Sequence, residues 1–420
     1  MGSNQSLHSP SRLDSVDLLR GLVMVLMALD HTRDFFHKGA LQGIDPLDLT
    51  TTTIPLFFTR WITHFCAPVF VFLAGTGAFL STTRGKSKRD LSWFLFTRGL
   101  WLVLLELTWI GWAGWNFGIN LHEHSGLVIW AIGWSMVVLA ALVHLPNWAI
   151  TTFGVAMIAL HNAFDGVKPE SFGPFAWLWQ VLHAGDKFQI APGVTFGAGY
   201  PLIPWIGVMA VGFGFGTILL REPAVRQRWL FRVGMNMIVV FFLLRFSNLY
   251  GDAKHWSSQD TGFRTLLSML DCTKYPPSLC YLLMTLGPAA IVLALLDRLV
   301  GTPSPPAPGG EGQGGEGRPA SGYAMPILLN PILVFGRAPL FYYLIHLPLI
   351  HGLSVALSFL HFNRADWLYG APPAKPPPDA GFDLWVVYLA WISVVVLLYP
   401  ACQWFADLKR RRHDAWLSYL

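Results

Sequence analysis

Five ionisable residues stand together at the end of the first apolar stretch of the sequence: Asp30, His31, Arg33, Asp34 and His37. On a helix, Asp30, Asp34 and His37 would share one face, because residues three and four positions apart are neighbours there. A carboxylate beside an imidazole holds its tautomer and raises its basicity, as a general base near neutral pH requires. The cluster therefore predicts proton transfer by His31 or His37 with Asp30 as the orienting group; the alternative is that these groups only cap the helix and reach into the membrane interface.

Other polar residues in apolar surroundings are candidates for the same site. Arg60 and His64 lie one helical turn apart at the start of the second apolar stretch, where His64 or Arg60 could stabilise an oxyanion. Glu106 falls near the middle of the third stretch, where a carboxylate is functional or is held by a buried structural hydrogen bond. Lys274, ahead of a tandem proline, is a weaker candidate. We predict that Arg60, Glu106 and Lys274 contact substrate and that His64 completes the catalytic group.

The composition requires a membrane setting for these residues. The chain of 420 residues is 53% hydrophobic and only 13% charged, about half the charged share of a soluble protein. Its 19 Trp and 30 Phe fit the aromatic enrichment of bilayer interfaces. The net charge of +5 comes from short basic clusters between apolar segments, so it indicates membrane topology rather than nucleic-acid binding.

The apolar pattern predicts an all-α, polytopic membrane helix bundle. About ten transmembrane helices are expected, since each needs about 20 mostly apolar residues. They cover residues 17–36, 61–81, 92–113, 126–145, 147–161, 201–220, 230–249, 278–299, 338–360 and 384–404. The segment 172–184 is expected to be an interfacial or re-entrant piece.

Charge and composition of the loops divide the chain. We predict a cytoplasmic tail (1–14), helices 1–8 with the catalytic cavity (15–299), a cytoplasmic Pro/Gly-rich linker (300–323), helices 9 and 10 (324–405) and a basic cytoplasmic tail (406–420). Every basic cluster falls on one side if both termini are cytoplasmic, as the positive-inside rule expects. Asp30 to His37 then lie at the extracytoplasmic end of the first helix.

Several classes of site are not supported by the sequence. The four cysteines are too few and too scattered for a disulfide framework or a zinc site, and no metal is expected. Gly212 and Gly216 lie inside an apolar span without a preceding strand, so they indicate a close helix contact rather than a dinucleotide-binding loop. The first apolar run has no small-residue cleavage site, so no cleavable signal peptide is expected.

Five segments together are similar to one known family. They are RLDSVDLLRGLVMVLMALDHTRDFF (12–36), LFFTRWITHFCAPVFVFLAGTGAFL (56–80), YPLIPWIGVMAVG (200–212), KYPPSLCYLLMTLG (274–287) and FGRAPLFYYLIHLPLIHG (335–352). The chain resembles the bacterial branch of the heparan-α-glucosaminide N-acetyltransferase family, within the wider set of transmembrane acyltransferases. The opening Asp-x-x-Arg-Gly followed by Asp-His is the most specific part of the likeness.

The resemblance implies that an acetyl group passes from cytosolic acetyl-CoA to a sugar amine or hydroxyl outside. It implies a multi-pass protein of the bacterial inner (plasma) membrane, with membrane lipid and a glycan acceptor as partners. A homodimer is a candidate assembly, but the sequence leaves the oligomeric state open. Arg98, Arg337 and His346 would then contact acetyl-CoA, the two arginines through its phosphates. The family has an asparagine where His31 stands, and its histidine falls nearest His37, so either histidine could carry the proton. Direct transfer and an acetyl-histidine intermediate both remain open.

Two other classes of function also place ionisable groups in apolar helices. A transporter or flippase of a glycan or lipid precursor would show inverted repeats with paired broken helices, and the sequence has no clear internal repeat. A b-type haem protein would need histidines on facing helices at one depth, such as His64 with His346 or His351. The neighbouring Asp and Arg residues suit acyl transfer better.

Overall fold

Long apolar helices make up most of the protein, as the hydropathy pattern predicts. The computed structural model describes residues 13–301, 329–370, 373–412 and 414–420. Its α-helices are α1 (Asp14–Phe36), α2 (Lys38–Leu41), α3 (Ile54–Thr63), α4 (Cys66–Thr82), α5 (Lys88–Leu105), α6 (Val128–Leu142), α7 (Asn147–Leu160), α8 (Ala176–Trp179), α9 (Leu202–Leu219), α10 (Pro223–Ser247), α11 (Gly262–Leu270), α12 (Leu279–Val300), α13 (Asn330–Arg337), α14 (Pro339–Phe362) and α15 (Leu384–Arg411). The prediction of a nearly all-α membrane bundle is confirmed.

Each of the ten predicted spans corresponds to a helix, but not all of these helices are equally suited to cross a bilayer. Seven helices of the described residues are long and apolar enough. An eighth crossing is possible if Asn147–Phe164 and Pro169–Ala184, bent by 111°, form one span; otherwise they are a re-entrant piece. Helix α1 carries six Asp and Arg residues and α6 has only 15 residues. The count of ten and the cytoplasmic position of the termini therefore stay predictions.

A small sheet, which the sequence analysis did not predict, accompanies the helices. Its strands β1 (Glu123–Ser125), β2 (Lys187–Ala191) and β3 (Val194–Gly197) lie in the order β1-β3-β2. Strand β1 pairs parallel to β3, and β2 pairs antiparallel to it. Strands of three to five residues in polar loops are too short to show the alternation that would reveal them in sequence.

Helix α1 lies inside the bundle, where it contacts α3, α4 and α12–α15. It crosses α13 at two glycines: a side chain on Gly21 would overlap the Ile332 carbonyl, and one on Gly336 would overlap that of Asp17. This close crossing brings Arg337 to Asp14, with Nη2 donating to Oδ1 over 3.0 Å. The crossing of α1 and α13 therefore fixes the position of Arg337 at this end of the bundle.

Some of the predicted divisions of the chain fall at the edge of the described residues. Of the linker at 300–323 only 300 and 301 are described, and of the first tail only 13 and 14. The basic tail does not begin as a separate segment, because α15 continues to Arg411 and a 3₁₀ turn follows at Ala415–Ser418. The ninth span has a short helix, α13, before it.

Candidate active site

Two cavities inside the bundle have two lining residues in common. The outer cavity has a volume of about 430 Å³ and is lined by Asp30, His31, Arg33, Asp34, Arg60, Glu106, Leu107, Gly111, Trp112, Trp115, Asn116, Asn120, Glu123, His124, Ser125, Leu127, Val128, Tyr200, Lys274, Tyr275 and Tyr343. The inner cavity, of about 310 Å³, is more apolar and carries Arg20, Arg98, Arg337 and Lys409. Val128 and Tyr343 line both. Among the described residues, only the side chains of these two are common to both linings. We call the cavities outer and inner because the predicted topology places the first toward the extracytoplasmic side and the second toward the cytoplasm.

His31 is held in the outer cavity by a second histidine from α14. Its Nδ1 lies 2.8 Å from Nε2 of His346. The other nitrogen of His346, Nδ1, lies 2.7 Å from the Tyr343 carbonyl, which can only accept, so this nitrogen carries the proton. In the neutral pair Nε2 of His346 accepts and Nδ1–H of His31 donates. This leaves Nε2 of His31 with its lone pair, the form that a general base needs.

Asp30 pairs with arginines rather than with His31. Arg60 Nη1 donates to both carboxylate oxygens of Asp30 at 2.7 Å. Arg33 Nη2 lies 3.2 Å from Asp30 and 2.5 Å from Asp34. Two carboxylates and two guanidinium groups thus neutralise one another at the cavity wall. Removing one partner of such a pair typically costs about 3–5 kcal/mol, because the other charge stays buried.

His37 does not reach the outer cavity. Helix α1 ends at Phe36, and His37 has an extended backbone (φ −76°, ψ 129°). Its Nδ1 accepts a hydrogen bond from the Gly39 N–H at 3.2 Å and so caps α2. Burial, with the nearby charges of Arg33 and Lys38, lowers the pKa of His37. This favours the neutral ring that the capping role requires.

His64 and His351 also lie outside the outer cavity. His64 is 1% exposed where α3 passes into α4, and its ring packs on Tyr281 with centroids 5.3 Å apart. Both ring nitrogens of His351 face carbonyls, Nδ1 that of Gly114 at 2.8 Å and Nε2 that of Leu368. Both ring nitrogens of His346 are hydrogen-bonded as well. The haem alternative needed His346 or His351 to bind iron opposite His64, and neither has a ring nitrogen free of hydrogen bonds.

Glu106 lines the outer cavity and also makes the buried structural hydrogen bonds that the sequence left open as an alternative. It begins a π-helix, Glu106–Asn116, which continues α5, and it lines the outer cavity while being 2% exposed. Its Oε2 accepts from the Ile129 and Trp130 N–H groups at 3.0 and 3.2 Å, in the first turn of α6. A carboxylate is favourable there, because a helix N-terminus carries unpaired N–H groups and partial positive charge. Glu106 therefore holds α6, and with it Val128, against the cavity.

Several residues of the outer cavity were not singled out from the sequence. Trp112 and Trp115 come from the π-helix, and the Tyr275 hydroxyl donates to that of Tyr200 at 3.4 Å. Lys274, the predicted cation, also lines this cavity and has no ion pair among residues 13–301, 329–370, 373–412 and 414–420. Trp and Tyr are so frequent in this chain that their presence in the sequence does not indicate a site. The only signal for the two tyrosines is that they lie in the family-like segments 200–212 and 274–287.

The arginines predicted to bind phosphate line the inner cavity. Arg98 Nη1 donates to the Ser418 carbonyl, and Arg337 pairs with Asp14. In both side chains Nε is buried and has no hydrogen-bond partner in the described parts of the chain. Unpaired buried guanidinium nitrogens at one mouth fit an anionic ligand. His346, the third predicted contact, lies beside His31 instead.

One family model matches the chain. It is described as heparan-alpha-glucosaminide N-acetyltransferase, catalytic, and it matches residues 12–247. Among curated proteins, none matches. The matched range contains His31, Arg60, Arg98 and Glu106, whereas Lys274, Arg337 and the α14 residues of the two cavities come later in the chain.

Proposed function

We propose that this chain, which belongs to the heparan-α-glucosaminide N-acetyltransferase catalytic family, moves an acetyl group from cytosolic acetyl-CoA to a sugar amine or hydroxyl across the membrane. The chain is a membrane acetyltransferase by its family and its apolar helices. The donor, the acceptor, the direction and the bacterial inner membrane are the proposal. The family match favours this function over a transporter or flippase.

The observation that carries the proposal is that Val128 and Tyr343 line both cavities. Acetyl-CoA is too charged to cross lipid. Transfer between the two sides therefore needs a passage that a donor enters from one end and an acceptor from the other. The inner cavity supplies guanidinium groups, and the outer cavity supplies the base.

Arg98 and Arg337 would hold the phosphates of acetyl-CoA by charge-assisted hydrogen bonds from their unpaired Nε groups. When bound, acetyl-CoA supplies an acetyl thioester. The mostly apolar lining between these arginines and Tyr343 suits the uncharged part of such a donor. Tyr343 and Val128 would set the depth that it reaches.

His31 would act as the general base. Its Nε2 would accept the proton of the acceptor amine or hydroxyl as the acceptor attacks the thioester carbonyl, while its Nδ1–H stays on His346. The C–S bond would then break, and the CoA thiolate that leaves would take this proton from the imidazolium. Burial disfavours the imidazolium that forms, and the charges of Asp30 and Asp34 offset part of this cost. Lys274 lines the outer cavity and has no ion pair with the described residues, so it is a cation available to an oxyanion or to a carboxylate of the acceptor.

The outer cavity suits a sugar because it combines aromatic faces with amide and carboxylate groups. Trp112 and Trp115 offer faces for the C–H side of a ring, and Asn116, Asn120 and Glu123 offer hydrogen bonds to hydroxyls. Both kinds of group are needed to bind a ring that is apolar on its faces and polar at its edge.

The test is acetyl transfer in proteoliposomes with acetyl-CoA and an amino sugar on opposite sides. We expect labelled acetyl to appear on the sugar only when acetyl-CoA is on the side of Arg98 and Arg337. Fixed orientation is checked by protease access to the basic C-terminal segment. Transfer only with both substrates on the same side would contradict the cross-membrane proposal, and no transfer with any amino sugar would contradict this acceptor class.

We expect Arg98→Ala to raise KM for acetyl-CoA about tenfold, which corresponds to about 1.4 kcal/mol of lost phosphate contact. The turnover number should change much less, because Arg98 does not line the outer cavity. Arg89→Ala is the matched control, since Arg89 is exposed at the start of the same helix and lines neither cavity. The measurement is initial rate against acetyl-CoA concentration; equal KM values for the two variants would remove Arg98 from the donor site.

A further inference from the structure

Three potential metal ligands lie together away from both cavities, where the chain folds back at the 111° bend. His161 begins the 3₁₀ turn after α7, Asp165 follows that turn, and His183 lies in the π-helical turn Gln180–Ala184. One nitrogen or oxygen atom from each lies within 4.8 Å of the others. We propose that these three side chains bind one divalent cation, of which Zn²⁺ suits them best.

His161 is the clearest sign of a ligand. The residue is 2% exposed, and neither ring nitrogen has a hydrogen-bond partner in the described part of the chain. The Pro277 carbonyl is near the ring but outside hydrogen-bonding geometry. Buried polar atoms without partners are rare, since their lost hydration is not replaced. A cation would take one nitrogen, and the other could then orient toward the Pro277 carbonyl, as the outer hydrogen bond of a metal-bound histidine.

The other two side chains already have nearly the spacing of ligands on one ion. Nε2 of His183 lies 3.6 Å from Oδ1 of Asp165. Ligand atoms at about 2.0–2.1 Å from a tetrahedral zinc lie about 3.3 Å from each other. Nε2–H of His183 donates to the His161 carbonyl at 3.0 Å. Binding would use the tautomer of His183 that carries its proton on Nδ1.

Neighbouring groups orient these two ligands. The Asn162 amide donates to Oδ2 of Asp165 at 2.8 Å, which leaves Oδ1 for an ion. The Trp179 ring stacks on His183, with centroids 4.9 Å apart and planes 13° apart. Such outer contacts hold the rings and carboxylates of metal sites in place.

The donor set decides the kind of ion and its role. Two imidazoles and one carboxylate suit zinc, with water in the fourth position, better than magnesium or calcium. Asp165 is exposed and gives an ion access. None of the three residues lines either catalytic cavity, so the cation would hold the bend rather than take part in transfer. The sequence-based expectation of no metal rested on the four cysteines, none of which belongs to this group.

The experiment measures metal in the full-length protein, purified in detergent and dialysed after loading with ZnCl₂. We expect about one zinc per chain, and background levels in His161→Ala and Asp165→Asn. His255→Ala, which changes an exposed histidine in another loop, should keep its zinc. EDTA should lower the unfolding midpoint of the wild type by several degrees and ZnCl₂ should restore it, with no change in His161→Ala.

Loading the wild-type protein with Co²⁺ tests the site without any variant, so the result does not depend on whether the variants fold. A four-coordinate Co²⁺ site should produce visible absorption bands that Zn²⁺ abolishes at one equivalent. If the wild type shows no stoichiometric zinc, no effect of EDTA and no such bands, the three residues form a hydrogen-bonded network without a cation, and the proposal fails.

Discussion

Replacing His31 with alanine is expected to lower the rate of acetyl transfer by about 10²–10⁴-fold, the usual contribution of a general base. The reason is geometric. His31 lines the outer cavity and has one ring nitrogen fixed as a donor to His346, which leaves the other with a lone pair that can accept a proton. Binding of acetyl-CoA should stay within about twofold, because His31 does not line the inner cavity. Single-turnover transfer and equilibrium binding of acetyl-CoA, measured on the same preparation, separate the two effects.

His37→Ala is the matched control, and it distinguishes the two histidines that the sequence left open. His37 caps α2 outside the cavity, so its loss should leave transfer near the wild-type rate and cause at most a small loss of stability. If His37→Ala lost transfer while His31→Ala kept it, the base would be His37. If both kept the wild-type rate, the general-base proposal would be wrong.

The fold could be predicted largely because lipid imposes a simple pattern. Each of the ten apolar segments became a helix, since backbone groups in a bilayer must be satisfied within the segment. The helix contact expected at Gly212 and Gly216 is present: a side chain on Gly212 would overlap the Phe72 carbonyl, and one on Gly216 would overlap the Phe79 ring. Local sequence carries both signals.

The partners of the site residues could not be predicted in the same way. His31 and His346 are 315 positions apart, and no local pattern connects them. The pairing of Asp30 with His31 was a reasonable expectation from their adjacency, but adjacent residues on a helix point in different directions. The carboxylate instead meets Arg60, which offers a charge-assisted hydrogen bond that a neutral imidazole cannot match.

The helical spacing that linked His37 to Asp30 and Asp34 fails for a visible reason. It required α1 to continue through residue 37, yet the helix ends at Phe36 and Lys38 N–H donates to the Phe382 carbonyl. A contact with a loop more than 340 residues away decides where the helix stops. Sequence spacing therefore placed His37 in a group from which the end of α1 separates it.

The passage between the cavities gives the second prediction with a large expected effect. Val128→Trp should abolish detectable transfer, with a loss of at least about 10²-fold, while the affinity for acetyl-CoA changes little. Val128 lines both cavities, so a larger side chain there narrows their junction, and displacing reacting atoms by about 1 Å is enough for a loss of this size. The arginines that would hold the phosphates lie elsewhere in the inner cavity and are not changed.

Val128→Ala is the control for this substitution, because it changes the same position without filling the junction. It should keep transfer, and its unfolding midpoint should drop only slightly, since one half-buried side chain loses two methyl groups. Transfer by Val128→Trp at the wild-type rate would mean that the two cavities are not joined where they share Val128 and Tyr343. If Val128→Trp lost acetyl-CoA binding as well as transfer, the tryptophan would have closed the inner cavity itself. The smaller substitution Val128→Leu would then decide: a passage at this point requires that Val128→Leu lowers transfer and keeps acetyl-CoA binding.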